Sequence, residues 1–170
     1  MGVFDRLTGT KYPDSGVAPL PAMEVRAALL ALNGTGVPFG VRNARPAETA
    51  DLVAEWRIME PAVGSSLSRK QGERTLKIRM RLVTATREVR TLDEQWAVTW
   101  AGDSPRRAVS REYGRGPAPR VSKQWTYERG PDGRRRKVET FSFDSREMKN
   151  PLRNAVLDAG WTWRGALFKL

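Results

Sequence analysis

The chain has 170 residues, no Cys, no His and a formal net charge of +11. Disulfides, thiolate nucleophiles, Ser-His-Asp and Cys-His triads and the usual Cys- or His-ligated metal sites are thereby excluded. Carboxylate, Lys, Tyr and Ser-Lys chemistry is all that remains to an enzyme, so neither catalysis nor a cofactor or metal is expected.

The charge is unevenly placed. Residues 1–60 carry six Lys/Arg against seven Asp/Glu, whereas residues 61–170 carry 24 against 12, and residues 104–137 alone hold 11 against three. Such a field draws an acidic protein, nucleic acid or an acidic lipid surface. The bland alternative is compositional, because 23 of the 30 cations are Arg, as a GC-rich coding sequence produces at any tolerant surface position. A 39% hydrophobic content with six Trp predicts a folded single domain over residues 1–170. No window reaches the roughly 20 apolar residues of a membrane-spanning helix. Asp5 and Arg6 interrupt any secretory leader, so a cytoplasmic protein is expected.

Residues 3–7 predict a short helical turn, and TGTKYPDSGVAPLP an irregular arm over residues 1–20. The spacing of Val25, Leu29 and Leu32 predicts a helix over 21–33, opened by Pro21 and closed by Gly34. From residue 37 the hydrophobic period becomes two. Strands are predicted at 37–43, 51–59, 75–82, 92–100, 106–113, 120–128 and 134–143, separated by a Gly/Ser-rich loop at 61–72 and the break GRGPAP. Pro131 and Asp132 of GPDG suit a type I turn, with Gly133 as the left-handed residue of a bulge. That turn pairs Trp125 with Glu139, Lys123 with Phe141 and Val121 with Phe143, and puts Val121, Trp125, Tyr127, Phe141 and Phe143 on one face. A second helix is predicted over 150–160, with Asn150 as cap and Pro151 in its first turn. GWTWRGALFKL closes the chain as a docked strand or cover over 161–170.

These elements predict an α+β fold: a strongly curved antiparallel sheet or partial barrel of about seven strands, with an N-terminal and a C-terminal helix packed against it. Over residues 37–160 the element order resembles pleckstrin-homology-like domains, with seven strands and one capping helix. It equally resembles a helix-grip ligand-binding fold. Both resemblances rest on count and order, without a family motif.

Two basic groups stand out. In TLKIRMRL, Leu76, Ile78, Met80 and Leu82 share one strand face, and Lys77, Arg79 and Arg81 the other, spaced about 7 Å apart. This row matches a line of phosphates, although a solvated outer face accounts for it as simply. The tip RGPDGRRRK places Arg134, Arg135, Arg136 and Lys137 at a hairpin end, where loops commonly carry binding. Lys123, Trp125, Tyr127 and Lys137 interleave rings and cations as a stacking platform does, although such rings are more commonly core. Glu94 falls with Leu92, Trp96 and Trp100, which predicts an ion pair with Arg or a strand-end acid.

The expectation is therefore a non-enzymatic binding module whose basic surface meets an anionic partner: acidic protein, nucleic acid or acidic membrane surface. The alternative is a protein that encloses a small apolar ligand between its sheet and C-terminal helix, lined by Trp56, Trp96, Trp100 and Trp161.

Overall fold

The computed structural model describes residues 2–63, 70–101, 108–116 and 120–170. Among them, three α-helices, α1 (Val3–Thr8), α2 (Ala22–Ala31) and α3 (Arg146–Asp158), accompany eight strands. The strands are β1 (Gly40–Asn43), β2 (Leu52–Val63), β3 (Lys70–Val83), β4 (Glu88–Ala101), β5 (Ala108–Arg115), β6 (Val121–Arg129), β7 (Arg135–Asp144) and β8 (Thr162–Ala166). The centre of the loop expected at 61–72 and parts of the break and strand expected at 106–119 lie outside the described residues.

The mixed helix-and-strand architecture with antiparallel sheets stands, but the curvature and the strand number expected from the sequence do not. The sheets are neither closed nor strongly curled, and among the described residues there are eight strands rather than about seven. The reason lies in β4. Its residues Glu94–Trp100 pair with β5, while Glu88–Leu92 pair in parallel with β8. The chain's last strand thus takes the half-edge that β5 leaves, giving a six-stranded sheet ordered β1-β2-β3-β4-β5 with β8 beside β4. Among the described residues strands β6 and β7 pair only with each other, so no described strand brings the two ends of the sheet together.

The period-two reading explains which face is buried. Leu52, Ala54 and Ile58 of β2, Leu76, Ile78 and Met80 of β3, and Val89 of β4 are buried against Val25 and Leu29 of α2 and Met148, Leu152 and Val156 of α3. Apart from Ala54, each such side chain contributes about 1.5–3 kcal/mol of apolar burial. Trp161 and Trp163 close the same core. The N-terminal arm then docks on the other edge of β8, where Lys11 and Trp163 exchange backbone hydrogen bonds of 2.8 and 2.9 Å. Further along the arm, Pro19 crosses Gly160, whose φ of +73° and lack of Cβ permit an approach at which a Cβ would meet Pro19 Cα at 2.7 Å.

Two helix boundaries differ from the expectation. Helix α3 begins at Arg146, one turn before Asn150, and carries Pro151 inside it. Burial of Met148 and a 2.6 Å bond from Lys149 Nζ to Asp93 fix that extra turn, whereas Pro151 removes only one intrahelical hydrogen bond near the helix start. Helix α2 tightens into a 3-10 turn over Leu32–Gly34, and the first left-handed residue is Gly36 rather than Gly34.

The β6–β7 hairpin turns as its residues require. Gly133 N–H donates to the Gly130 carbonyl and Gly130 N–H to the Arg134 carbonyl, both at 2.9 Å, with Gly133 at φ +72°. Trp125 pairs with Glu139 as expected, but beyond it the register slips. Gln124 pairs with Phe141 and Ser122 with Phe143, leaving Thr140 as the extra residue of a bulge. Because side chains alternate with period two, one inserted residue moves Phe141 and Phe143 to the opposite face from Trp125 and Tyr127. The five apolar residues expected on one face are therefore split. Phe143 is buried, edge-on to Trp56 with centroids 5.1 Å apart. Val121, Trp125 and Tyr127 remain outside.

Candidate anion-binding surface

The cations of β3 lie on the sheet face away from α2 and α3, among acids from neighbouring strands. Lys77 Nζ is 3.6 Å from Glu48 and 3.8 Å from Glu55. Arg79 donates to Glu94 at 2.8 Å and to the Glu48 carbonyl at 2.9 Å. Arg81 donates to the main-chain oxygens of Thr49 at 2.8 Å and Leu170 at 3.4 Å. All three side chains are thus engaged inside the molecule.

Two carboxylates organise that face. Glu94 is buried on the parity read from the sequence, and accepts from Arg79, from Tyr113 Oη at 3.1 Å and from Arg115 at 3.3 Å. Glu48 sits in the 3-10 turn before β2. It receives two 2.7 Å bonds from the Arg42 guanidinium and one from the Arg45 backbone N–H. The Arg42 bonds, helped by Arg45, hold its carboxyl down at about 2 against the partial desolvation that opposes them.

The hairpin tip is different. Arg134, Arg135, Arg136 and Lys137 are all exposed, and Arg129 stands opposite Arg135 across the ladder. Among the described residues Arg129, Arg134 and Arg135 make no ion pair, while Arg136 meets Asp132 at 3.3 Å. Lys137 Nζ lies 4.0 Å from the Trp125 ring centroid, a cation–π contact. Residues directly opposite share a face, so Lys123, Trp125, Tyr127 and Arg129 line one side of the ribbon with Arg135, Lys137 and Glu139. Trp125 is 46% and Tyr127 69% exposed. The rings read from the sequence as more commonly core lie open here, because the bulge gives the core side of the ribbon to Phe141 and Phe143.

The ribbon is fixed at its base rather than along its length. Arg120 N–H donates to Ser145 Oγ and Ser145 N–H to the Arg120 carbonyl, at 2.8 and 2.9 Å. Together with Phe143 against Trp56, this ties β6–β7 to the start of α3 and to β2, and leaves residues 125–137 extended into solvent.

The four tryptophans proposed as a ligand lining are not gathered on one face. Trp56 packs on the core and on Phe143, and Trp161 is buried with its indole N–H donated to the Leu20 carbonyl at 2.8 Å. Trp96 and Trp100 lie on the opposite sheet face by parity. Trp96 is 5.3 Å from Tyr113 by ring centroid and lies under the Lys77 ammonium. Two clefts among the described residues are lined by none of the four. One, of about 40 Å³, lies between β4, β5 and α3 and contains the Asp93–Lys149 pair. Burial there pushes the Asp93 carboxyl up, against the pull of Lys149. The other is an open groove of about 470 Å³ along β1 and β2, with Arg42, Arg45 and Arg57 beside Glu55.

Sequence reasoning places Arg129 in the tip but misses Glu48 and Glu55 as partners of the β3 row. The GPDG register sets its partner, since a single step beyond the Gly130–Arg134 bond places Arg129 against Arg135. Nothing local marks Glu48, whose contact with Lys77 joins residues 29 positions apart. No family model, no curated protein and no solved structure matches the chain.

Proposed function

We propose that this protein is a non-enzymatic binding module whose β6–β7 hairpin receives an anionic partner. One observation carries the reading: the tip holds Arg129, Arg134 and Arg135 without an ion pair among the described residues, whereas Lys77, Arg79 and Arg81 are already engaged. Lys77 and Arg79, held by internal acids, cannot exchange them for an external anion without leaving a carboxylate unpaired, and Arg81 already donates to main-chain oxygens. Exposed cations at the tip need only shed water and counterions. The seven basic residues singled out in the sequence therefore divide into a structural set on β3 and a binding set on the hairpin.

Binding of the full chain to nucleic acid and to acidic vesicles, titrated with salt, tests this. Arg134→Ala/Arg135→Ala/Arg136→Ala should weaken the interaction and flatten its dependence on log salt by up to about 0.7–0.9 for each phosphate that is no longer neutralised. Unchanged affinity and slope in that variant would remove the hairpin from the function, as would failure of the wild type to bind either probe at low salt.

A further inference from the structure

We infer that the partner of the hairpin is single-stranded nucleic acid, with unpaired bases stacking on Tyr127 and Trp125 and phosphates running along Arg129, Arg135 and Lys137, while Lys123 stays paired with Glu139 at 3.4 Å. This rests on the anion-binding reading above and specifies its ligand. Trp125 and Tyr127 are two residues apart on one strand face, so their rings rise from the ribbon about 7 Å apart. Both are exposed, and Tyr127 makes no hydrogen bond among the described residues. An exposed Trp and Tyr flanked by cations on an extended strand supply both parts of a stacking site, π faces for bases and charge for the backbone. Lys137, already over the Trp125 ring, is placed to meet the phosphate of a nucleotide whose base lies against the indole.

The geometry disfavours the other anionic partners. A lipid-inserting hairpin leads with apolar side chains, which must enter the headgroup boundary by about 5–10 Å. Here Asp132 and the arginines lead, and the rings stand behind them. An acidic protein needs about 800 Å² on each side of a standard interface. A two-stranded ribbon nine residues long is about 30 Å by 10 Å, a few hundred square ångströms, which suits a narrow polymer. Duplex nucleic acid satisfies the cations, but its base faces are stacked on each other and leave the rings unused.

The test measures binding of the full chain to a labelled oligothymidylate of about 15 nucleotides, to a duplex of equal length, and to vesicles containing phosphatidylserine. The single strand should bind more tightly than the duplex at equal salt. Tyr127→Ala and Trp125→Ala should each weaken single-strand binding by about fivefold or more, from the stacking contribution of about 1 kcal/mol or more per base. Their salt slopes should stay unchanged, and Tyr127→Phe should retain affinity. Both sites are exposed, so circular dichroism should report the same fold. Equal affinity for duplex and single strand, or full affinity in Tyr127→Ala, overturns stacking while the anion-binding reading survives. Vesicle binding without binding of either nucleic acid overturns the inference in favour of a lipid surface. If no probe binds, both readings fall together.

Discussion

Replacing Glu94 with Ala should cost this protein about 2–4 kcal/mol of stability, and the reason is Arg79. The Arg79 side chain is 17% exposed and that of Glu94 7%, with 2.8 Å between guanidinium and carboxylate. Opposite charges about 4 Å apart interact by about 4 kcal/mol at an effective dielectric near 20. Desolvation cancels part of that, so the pair is worth less than its Coulomb energy, but removing one partner strands the other. Loss of Glu94 would leave Arg79 half-satisfied by the Glu48 carbonyl and Thr49 Oγ1, and would remove one partner each from Tyr113 and Arg115, which keep their mutual bond of 3.0 Å. Urea unfolding followed by circular dichroism measures the loss. A cycle comprising Glu94→Ala, Arg79→Ala and the double variant should then give a coupling of about 1–3 kcal/mol. Nucleic-acid binding normalised to folded protein should be unchanged in Arg79→Ala. Additive losses across the cycle, or a specific binding defect in Arg79→Ala, would refute the assignment of the β3 row to structure.

Three further outcomes are expected. Glu48, held at about 2, sits below its ordinary value of about 4.5. It therefore adds stability above pH 4.5 that is lost as pH falls toward 2. Near the surface, with water screening the Arg42 contact, this amounts to about 1–2 kcal/mol. Glu48→Gln should reduce stability at pH 7 and flatten the acid limb of urea midpoints against pH, and an unchanged limb would refute the linkage. Trp163, fully buried, should cost about 3–5 kcal/mol when replaced by Ala, read as a fall in the urea midpoint. A Cβ on Gly165 would collide with the Thr8 carbonyl oxygen. Gly165→Ala should thus lift the N-terminal arm from β8 and speed limited proteolysis within residues 9–20, and equal cleavage rates would show that the arm is held elsewhere.

The parts of the fold legible in the sequence are those that local chemistry determines. Leu76, Ile78 and Met80 alternate with Lys77, Arg79 and Arg81 because one side of β3 meets helices and the other meets charge. GPDG specifies a turn and a bulge whatever surrounds it. The illegible parts depend on partners far away in sequence. The placement of β8 beside β4 is decided by the half-edge that ends at Glu94, which no pattern in GWTWRGALFKL announces. The bulge at Thr140 looks like any other residue of an alternating strand, yet it reverses the face of everything after it. Helix α3 starts early because Lys149 finds Asp93 across the core. At the candidate site, the tip arginines are visible as a run, but the neutralisation of the β3 row is not, because Glu48 reaches it from a turn beyond β1.

That division bears on what net charge can say about function. The whole-chain value of +11 counts a cation held in an internal pair and a cation in open water alike. Only the second kind contributes much to association, because the field of a paired guanidinium is largely cancelled within a few ångströms by its carboxylate. On the β3 face, Arg42, Lys77, Arg79 and Arg115 meet Glu48, Glu55 and Glu94. On the ribbon, Arg129 and Arg135 face each other directly, a like-charge arrangement that disfavours the hairpin by itself. A fold that pairs its arginines so thoroughly on one surface and opposes them on another bears a local cost there, and an anion lying between the two guanidinium groups would relieve it. The hairpin should therefore be more protected from amide exchange with bound oligonucleotide than without it, most strongly at Arg129 and Arg135. Equal protection in both states would mean that the opposed charges are met by water alone.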